Sequence, residues 1–164
     1  MTQAPAIDIV PATAGDIPLL LSLIRELADY ERLSREVVAT EASLHRALFG
    51  AEPAAAAVLA RVGAESAGFA LYFHNFSTFL GKPGLYLEDL FVRPAYRGRA
   101  IGRTLLVYLA RLALERGCGR FEWAVLDWNQ PARSFYETLG AEPNSAWINY
   151  RISGDALRRL AAGA

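Results

Sequence analysis

One stretch of the chain, residues 85–114, constrains its fold more than any other. It begins with an apolar, β-prone run over residues 85–92, which only Glu88 and Asp89 interrupt. A turn rich in arginine and glycine follows, and apolar residues then recur at helical spacing: Ile101, Leu105, Leu109, Leu112 and Ala113. The pattern therefore predicts a strand, a basic turn and a long helix in direct succession.

The basic turn, residues 97–103, has the properties of an anion-binding site. The first amides of a helix have no intrahelical partner, and the helix N-terminus carries partial positive charge. Gly98 and Gly102 allow a ligand to approach the backbone, and full positive charges are supplied by Arg97, Arg99 and Arg103. The spacing matches neither a dinucleotide-binding fingerprint nor a P-loop. We expect the turn to bind a phosphate or pyrophosphate group.

Bulk properties exclude several classes of protein. The 164 residues suit one domain, 1–164, and the formal net charge of +0 gives no general attraction to nucleic acid. No apolar run approaches the roughly 20 residues of a membrane span, and the N-terminus lacks the layout of a signal peptide. The single cysteine, Cys118, excludes an internal disulfide framework. We expect a cytoplasmic protein that binds neither nucleic acid nor a membrane.

Periodicity and turn signals predict the other elements. Strands are expected over 6–10, 55–62, 68–74, 120–126 and 147–152, with a turn over 63–67 and a loop over 75–84. Helices are expected from about residue 16 toward 33, over 41–49, from a cap at Asn129 to about Leu139, and over 154–161. The order of elements indicates one mixed α/β layer structure.

The basic turn resembles the acyl-CoA loop of the GNAT superfamily of N-acyltransferases, whose pattern is Arg/Gln-x-x-Gly-x-Gly/Ala. Here the pattern reads Arg97, Gly98, Arg99, Ala100, Ile101, Gly102. Ala100 replaces the middle glycine, which alanine can do if the local φ is negative. Further strings are similar to the spermidine/spermine N-acetyltransferase branch: residues 11–13, 26–31 and 85–98, Trp128-Asn129-Gln130-Pro131, Phe135-Tyr136 and Gly140-Ala141.

The resemblance implies a GNAT fold, with a mixed central β-sheet, a splayed central strand pair and flanking helices. It also implies acetyl-CoA as the acetyl donor and no metal. The expected cofactor-binding residues are Leu90, Phe91, Val92, Arg97, Gly98, Arg99, Ala100, Ile101, Gly102, Arg103, Asn129, Pro131, Ala132 and Arg133. Leu90, Phe91 and Val92 would act through their main chain while their side chains pack in the core. Asn129 has an equally good alternative role as a helix cap alone.

The chemistry of amine acetylation indicates further candidates. An amine with a pKa of about 10 arrives protonated and must lose a proton before it attacks a thioester. Glu88 and Asp89 lie in an apolar strand where an unpaired carboxylate is costly, so they either form an internal salt bridge or attract the cationic amine. We expect Glu88 to remove the amine proton, through a water molecule. The resemblance makes Tyr136 the general acid for the departing thiolate; the alternative is an ordinary buried tyrosine.

The resemblance places Tyr30 and Glu31 in the acceptor site, although from the sequence alone they fit a solvated helix end equally well. The other residues expected to bind the acceptor are Glu88, Asp89, Glu122, Trp123 and Ala124. The expected function is transfer of acetyl to a primary amine of a small cationic acceptor, by direct transfer in a ternary complex within a homodimer. The segment before Trp147 is shorter than in the polyamine enzymes, so a diamine or thialysine is as plausible as spermidine. Two alternatives stay open, namely acetylation of a protein or peptide amine and a non-catalytic acyl-CoA-binding module. Neither histidine lies in a metal-ligand pattern.

Overall fold

The computed structural model describes residues 6–163, whose contacts divide the chain into two compact units, with the boundary between Ala124 and Val125. The first unit contains strands β1 (Ile7–Pro11), β2 (Ala56–Val62), β3 (Glu65–Ser77), β4 (Lys82–Val92) and β5 (Phe121–Trp123). Its helices are α1 (Ile17–Tyr30), α2 (Glu41–Phe49) and α3 (Ile101–Glu115), and the second unit contains α4 (Gln130–Thr138) and α5 (Gly154–Ala161). In the part of the chain described, no helix is both long and apolar enough to cross a membrane.

The five strands form one mixed sheet in the order β1-β2-β3-β4-β5. The first four pair antiparallel, whereas β5 runs parallel to β4. This parallel pairing covers only residues 85–87 of β4, so the rest of that strand extends beyond the end of β5. The mixed sheet with a splayed central pair, predicted from the sequence, is confirmed.

Apolar side chains cover both faces of the sheet. Helix α1 packs through Leu20, Leu23 and Leu27 into a core cluster that includes Phe69 and Phe91. Neighbouring strand positions such as Val58 and Ala70 are also fully buried, although they point to the opposite face. Helix α3 contacts β1, β3 and β4 and buries most of the apolar stripe predicted for it: Ile101, Leu105, Leu109 and Ala113. The fifth residue of the stripe, Leu112, is half-buried. Each fully buried large apolar side chain contributes about 1.5–3 kcal/mol.

The bounds of β3 and β4 correct two predictions. The loop expected over residues 75–84 is mostly strand, because β3 continues to Ser77 and β4 begins at Lys82. The turn expected over 63–67 shrinks in the same way, because β3 already begins at Glu65. Continued pairing satisfies backbone hydrogen bonds that a loop would leave to water. Across the hairpin the rings of Phe73 and Tyr86 lie 5.1 Å apart, a favourable cross-strand contact.

Two strand predictions beyond α3 are also corrected. The strand expected over 120–126 spans only Phe121–Trp123, and residues 147–152 form no strand. The composition of 147–152 is β-prone, but a strand requires a partner, and within residues 6–163 no strand pairs with this segment. Its large side chains are left exposed, Trp147 by 70% and Tyr150 by 94%. Helices α4 and α5 lie where they were predicted.

Candidate active site

The centre of the candidate site is a break in the regular pairing of β4. Leu71 pairs with Asp89 and Tyr72 with Leu87, which leaves Glu88 as the extra residue of a β-bulge. Such a bulge bends the strand and changes the direction of its side chains. It lies directly after Leu87, where the pairing of β4 with β5 ends. The bulge therefore separates the part of β4 that pairs with β5 from the part that continues toward Val92 without pairing with β5.

Two of the predicted acceptor-binding carboxylates, those of Glu88 and Glu31, act on a third, that of Asp89. Asp89 is half-buried, and burial, followed by the charges of Glu88 and Glu31, raises the pKa of its carboxyl to about 6. Burial also raises the pKa of Glu31, which follows the last residue of α1. The side chain of Glu88 is exposed. A cation placed among these three groups would relieve their mutual repulsion, as the predicted amine pocket requires.

The side chain of Arg97 connects the basic turn to α1. Its guanidinium lies 4.7 Å from the centroid of the Tyr30 ring, and its Nε donates a hydrogen bond to the carbonyl of Val92 at 3.0 Å. The side chain is thus directed back toward β4, away from the amides of its own turn. Arg99 lies over the ring of Tyr96 at 5.5 Å, and Arg103 is exposed.

The backbone of the basic turn is left-handed at two positions. Gly98 has φ 74°, which costs glycine little, but Ala100 has φ 60° and ψ 11°. The condition under which alanine would replace glycine without cost, a negative φ, is therefore not met, and the left-handed conformation costs an alanine about 1–2 kcal/mol. The carbonyl of Ala100 accepts the first bond of α3, from the amide of Thr104 at 2.9 Å. The three preceding amides, those of residues 101–103, project from the N-terminus of α3 without an intrahelical acceptor.

Sequence reasoning missed Arg93, which immediately follows β4. Its Nη2 and Nε bond the Glu26 carboxylate at 2.7 and 2.9 Å, and its Nη1 donates to the carbonyl of Ser66 at 2.9 Å. The hydrogen bonds from Arg93 lower the pKa of Glu26. The ion pair between Arg93 and Glu26 links α1 to the end of β4, just before the basic turn. Glu26 lies in one of the strings that carry the family resemblance, but no local pattern indicates a partner 67 residues away.

The predicted acceptor residues on β5 divide between the two faces of that strand. Glu122 pairs in register with Tyr86, and its Oε2 lies 2.8 Å from Nε of Arg120 and accepts a hydrogen bond from Nδ2 of Asn75 at 3.0 Å. Arg120 thus offsets the charge that Glu122 was expected to add to the pocket. Trp123 is the next residue, so strand alternation directs it to the opposite face. Ala124 directly follows the strand.

The remaining predicted residues lie in the second unit. Asn129 is buried and caps α4, since its Oδ1 accepts a hydrogen bond from the amide of Ala132 at 3.3 Å. Arg133 donates from Nη1 to the carbonyl of Asp127 at 3.1 Å, while Pro131 occupies the first turn of the helix. The ring of Tyr136 lies 5.5 Å from that of Phe135. The capping role of Asn129 is confirmed, and the catalytic role of Tyr136 stays a prediction.

Metal-ligating side chains do not cluster. Across residues 6–163, no group of three or more histidine, cysteine, aspartate or glutamate residues could hold a metal ion. His74 contacts Arg116, at 3.4 Å between ring Nε2 and Nη1, and burial followed by the nearby Arg116 charge lowers the pKa of its imidazole. The contact with Arg116 and the burial of the ring are enough to explain His74 as a structural residue.

Comparison with known proteins agrees with this geometry. Residues 21–141 match the profile of the Acetyltransferase (GNAT) family. The thialysine N-epsilon-acetyltransferase of Sus scrofa is 39% identical over 161 residues, covering 92% of this chain and 94% of that protein. The L-ornithine N5-acetyltransferase of Arabidopsis thaliana is 32% identical over 194 residues, covering 91% and 85%. An integron cassette protein from the mobile metagenome of V. cholerae matches with a TM-score of 0.80 at 28% identity, covering 94% and 97%.

Proposed function

Because the chain belongs to the GNAT family of acetyltransferases, we propose that it transfers acetyl from acetyl-CoA to a primary amine of a small cationic acceptor. The acceptor would be a polyamine, a diamine or an amino acid resembling thialysine. Family and relatives establish an N-acetyltransferase; the observation that carries the acceptor class is Asp89. This half-buried carboxyl, with two carboxylates acting on it and a pKa raised to about 6, favours a bound cation.

The chain offers surfaces that suit acetyl-CoA, which supplies the activated acyl group as a thioester. The half of β4 beyond Leu87 has main-chain groups that β5 does not cover, and these can hydrogen-bond the amides of a pantetheine arm. The left-handed turn at Gly98 and Ala100 leads into the free amides at the N-terminus of α3, which suit a pyrophosphate. On family resemblance, the proposed cofactor-binding residues also include Asn129, Pro131, Ala132 and Arg133.

The carboxylates on β4 and at the end of α1 have different tasks in this proposal. Asp89 and Glu31 bind and orient the ammonium form of the acceptor. Glu88, which is exposed at the bulge, takes a proton from that ammonium through a water molecule. The neutral nitrogen then attacks the thioester carbon directly, without an acyl group on the protein.

Tyr136 completes the proton balance in this proposal. As the new C–N bond forms, the attacking nitrogen becomes positively charged and loses its second proton to solvent. As the C–S bond breaks, the sulfur leaves as a thiolate. The Tyr136 hydroxyl donates its proton to that thiolate and is reprotonated from solvent. Glu88 returns its proton to solvent, so both residues regain their starting state.

We further propose that the 1–164 domain acts in the cytoplasm as a homodimer. The exposed segment 147–152 carries three large apolar side chains, those of Trp147, Ile148 and Tyr150. Exposed contiguous apolar surface of this kind marks association sites. A second copy of the chain could cover the segment by strand pairing. Light scattering should then give twice the chain mass for the wild type and a smaller mass for Ile148→Asp.

Thiol release from acetyl-CoA in the presence of an amine panel tests the function. The panel contains spermidine, putrescine, cadaverine, lysine, thialysine and ornithine, together with a peptide that has a free N-terminus and one lysine. We expect turnover with the small cationic amines of this panel. Turnover confined to the peptide would favour protein acetylation. Binding of acetyl-CoA without turnover of any amine would favour the non-catalytic module.

A further inference from the structure

We propose that Arg93 is a positioning residue, which holds the acceptor-binding end of α1 in place against the basic turn. It does so through its ion pair with Glu26. This inference rests on the proposed acetyl transfer and adds to it a residue that acts through other residues. Nη1 of Arg93 donates to the carbonyl of Ser66 on β3 at 2.9 Å, and its backbone amide donates to the carbonyl of Ala67 at 2.9 Å. Arg93 is therefore fixed to the sheet on one side and to α1 on the other.

The chain that leaves β4 contacts α1 at two points with matching spacing. Arg93 bonds Glu26, and four residues later Arg97 lies over the ring of Tyr30, itself four residues after Glu26. Residues four apart lie on the same face of a helix, one turn from each other. The chain between the two arginines is a tight turn, closed by a hydrogen bond from the amide of Tyr96 to the carbonyl of Arg93 at 2.9 Å. Two attachment points restrict both sliding and rotation of the end of α1 relative to the basic turn.

Hydrophobic packing holds α1 on the sheet but does not set this position as sharply. The helix buries Leu20, Leu23 and Leu27 in the core, and hydrophobic contact is non-directional. In contrast, Nε and Nη2 of Arg93 bond the two carboxylate oxygens of Glu26, a planar arrangement with a defined geometry. The two side chains are 27% and 33% exposed, and ion pairs in such places contribute little to stability. The main effect of the pair is therefore on geometry.

The position of α1 matters for both substrates in the proposed reaction. Tyr30 is the last residue of α1 and Glu31 follows it, and both belong to the proposed acceptor site. The charge of Glu31 acts on the half-buried Asp89 of β4. A shift of the end of α1 would move Glu31 relative to Asp89 and would also disturb the basic turn proposed to bind the pyrophosphate. Misplacement by about 1 Å can cost about 100-fold in rate.

Arg93→Gln tests this inference, with Arg61→Gln as the matched control. Arg61 pairs with Asp16 at 3.1 Å and so links β2 to the opposite end of α1. Arg93→Gln should lower kcat/KM for the amine by about 10- to 100-fold, mainly through KM, because the acceptor residues on α1 shift while the proton-transferring groups do not. It should also weaken acetyl-CoA binding in calorimetric titration. Arg61→Gln should lower the melting temperature but leave both quantities near their wild-type values.

The amine is thialysine or, if the wild type does not use it, the amine of the panel that turns over fastest. Two milder variants keep the test decisive if Arg93→Gln does not fold. Arg93→Lys keeps the charge but loses the planar fork, whereas Glu26→Gln keeps the shape of the partner but loses its charge. Both should raise KM for the same amine, by less than Arg93→Gln, with kcat near the wild-type value.

The outcomes separate this inference from the acetyl transfer on which it rests. All kinetics are measured well below the melting temperature of each variant. A lower melting temperature with unchanged KM and acetyl-CoA affinity in the Arg93 variants would mean that the pair only supports the fold, and the inference would be wrong. Equal losses of kcat/KM in the Arg93 and Arg61 variants, or a loss confined to kcat, would also overturn it while acetyl transfer stands. Absence of wild-type turnover with every amine would overturn both.

Discussion

The guanidinium of Arg97 lies over the ring of Tyr30, 4.7 Å from its centroid, and so joins the basic turn to the end of α1. The same side chain donates a hydrogen bond to the carbonyl of Val92, on the half of β4 proposed to bind the cofactor. Tyr30 belongs to the proposed acceptor site. One arginine side chain therefore contacts residues assigned to both substrates, which couples their binding.

This coupling predicts non-additive effects of substitution. Arg97→Gln should weaken acetyl-CoA binding and also raise the KM of the amine, because the Tyr30 ring loses the guanidinium that stacks on it. A cation–π contact at an exposed site contributes about 0.5–1 kcal/mol. A double-mutant cycle with Tyr30→Leu, measured by calorimetric titration and steady-state kinetics, should return an interaction energy of that size. Strictly additive changes would show that the stacking has no energetic role.

The left-handed conformation of Ala100 predicts a stabilising substitution. Ala100→Gly removes strain of about 1–2 kcal/mol, but glycine adds about 0.5–1 kcal/mol of entropy to the unfolded chain. We expect a net gain in the free energy of unfolding of up to about 1 kcal/mol, measured by urea denaturation. Ala95→Gly is the control: Ala95 lies just before the basic turn and has no positive φ, so this substitution should lower the free energy of unfolding. A loss of stability in Ala100→Gly would contradict the assigned strain.

Asp89 predicts a pH dependence of stability with a definite sign. Its pKa is raised from 3.8 to about 6 by burial and by Glu88 and Glu31, so between these values the folded state holds a proton that the unfolded state has lost. Stability of the wild type should therefore fall as the pH rises from about 4 to 6. At 1.36 kcal/mol per unit, the shift corresponds to a cost of about 3 kcal/mol above pH 6.

Asp89→Asn should remove that cost. The variant should be more stable than the wild type by about 2–3 kcal/mol at pH 8, with the difference vanishing near pH 4. It should also bind the cationic amine less well, since a charge in the acceptor site is lost. Thermal denaturation across pH 4–8 measures the stability. Parallel curves for the two proteins would show that Asp89 does not titrate in this range.

The sequence predicts what depends on local spacing and misses what depends on distant pairing. The apolar repeat of α3 and the cap at Asn129 are local signals, and both elements lie where they were predicted. The bulge at Glu88 depends on the register between β3 and β4, which no single strand encodes. Ala100 is left-handed because the turn must place α3 against the sheet, and composition does not show this requirement. Residues 147–152 have a strand pattern, but the pattern cannot supply a partner strand.

The last prediction concerns Tyr136, on the capped helix α4, which should act on the leaving group and not on cofactor affinity. Tyr136→Phe keeps the ring and its contact with Phe135 while deleting the hydroxyl that would donate the proton. General acid catalysis is typically worth about 10²–10⁴-fold in rate, so we expect a loss of kcat in that range with little change in acetyl-CoA affinity. Tyr108→Phe, which removes a hydroxyl from a tyrosine of α3 that is assigned neither to the site nor to the proposed dimer surface, is the matched control and should retain wild-type activity. Melting curves must accompany the kinetics, because a buried hydroxyl that loses its partner can cost about 1–3 kcal/mol without any catalytic role. A folded Tyr136→Phe protein with kcat within about threefold of the wild type would mean that water protonates the thiolate, since such a change is far below the range of general acid catalysis.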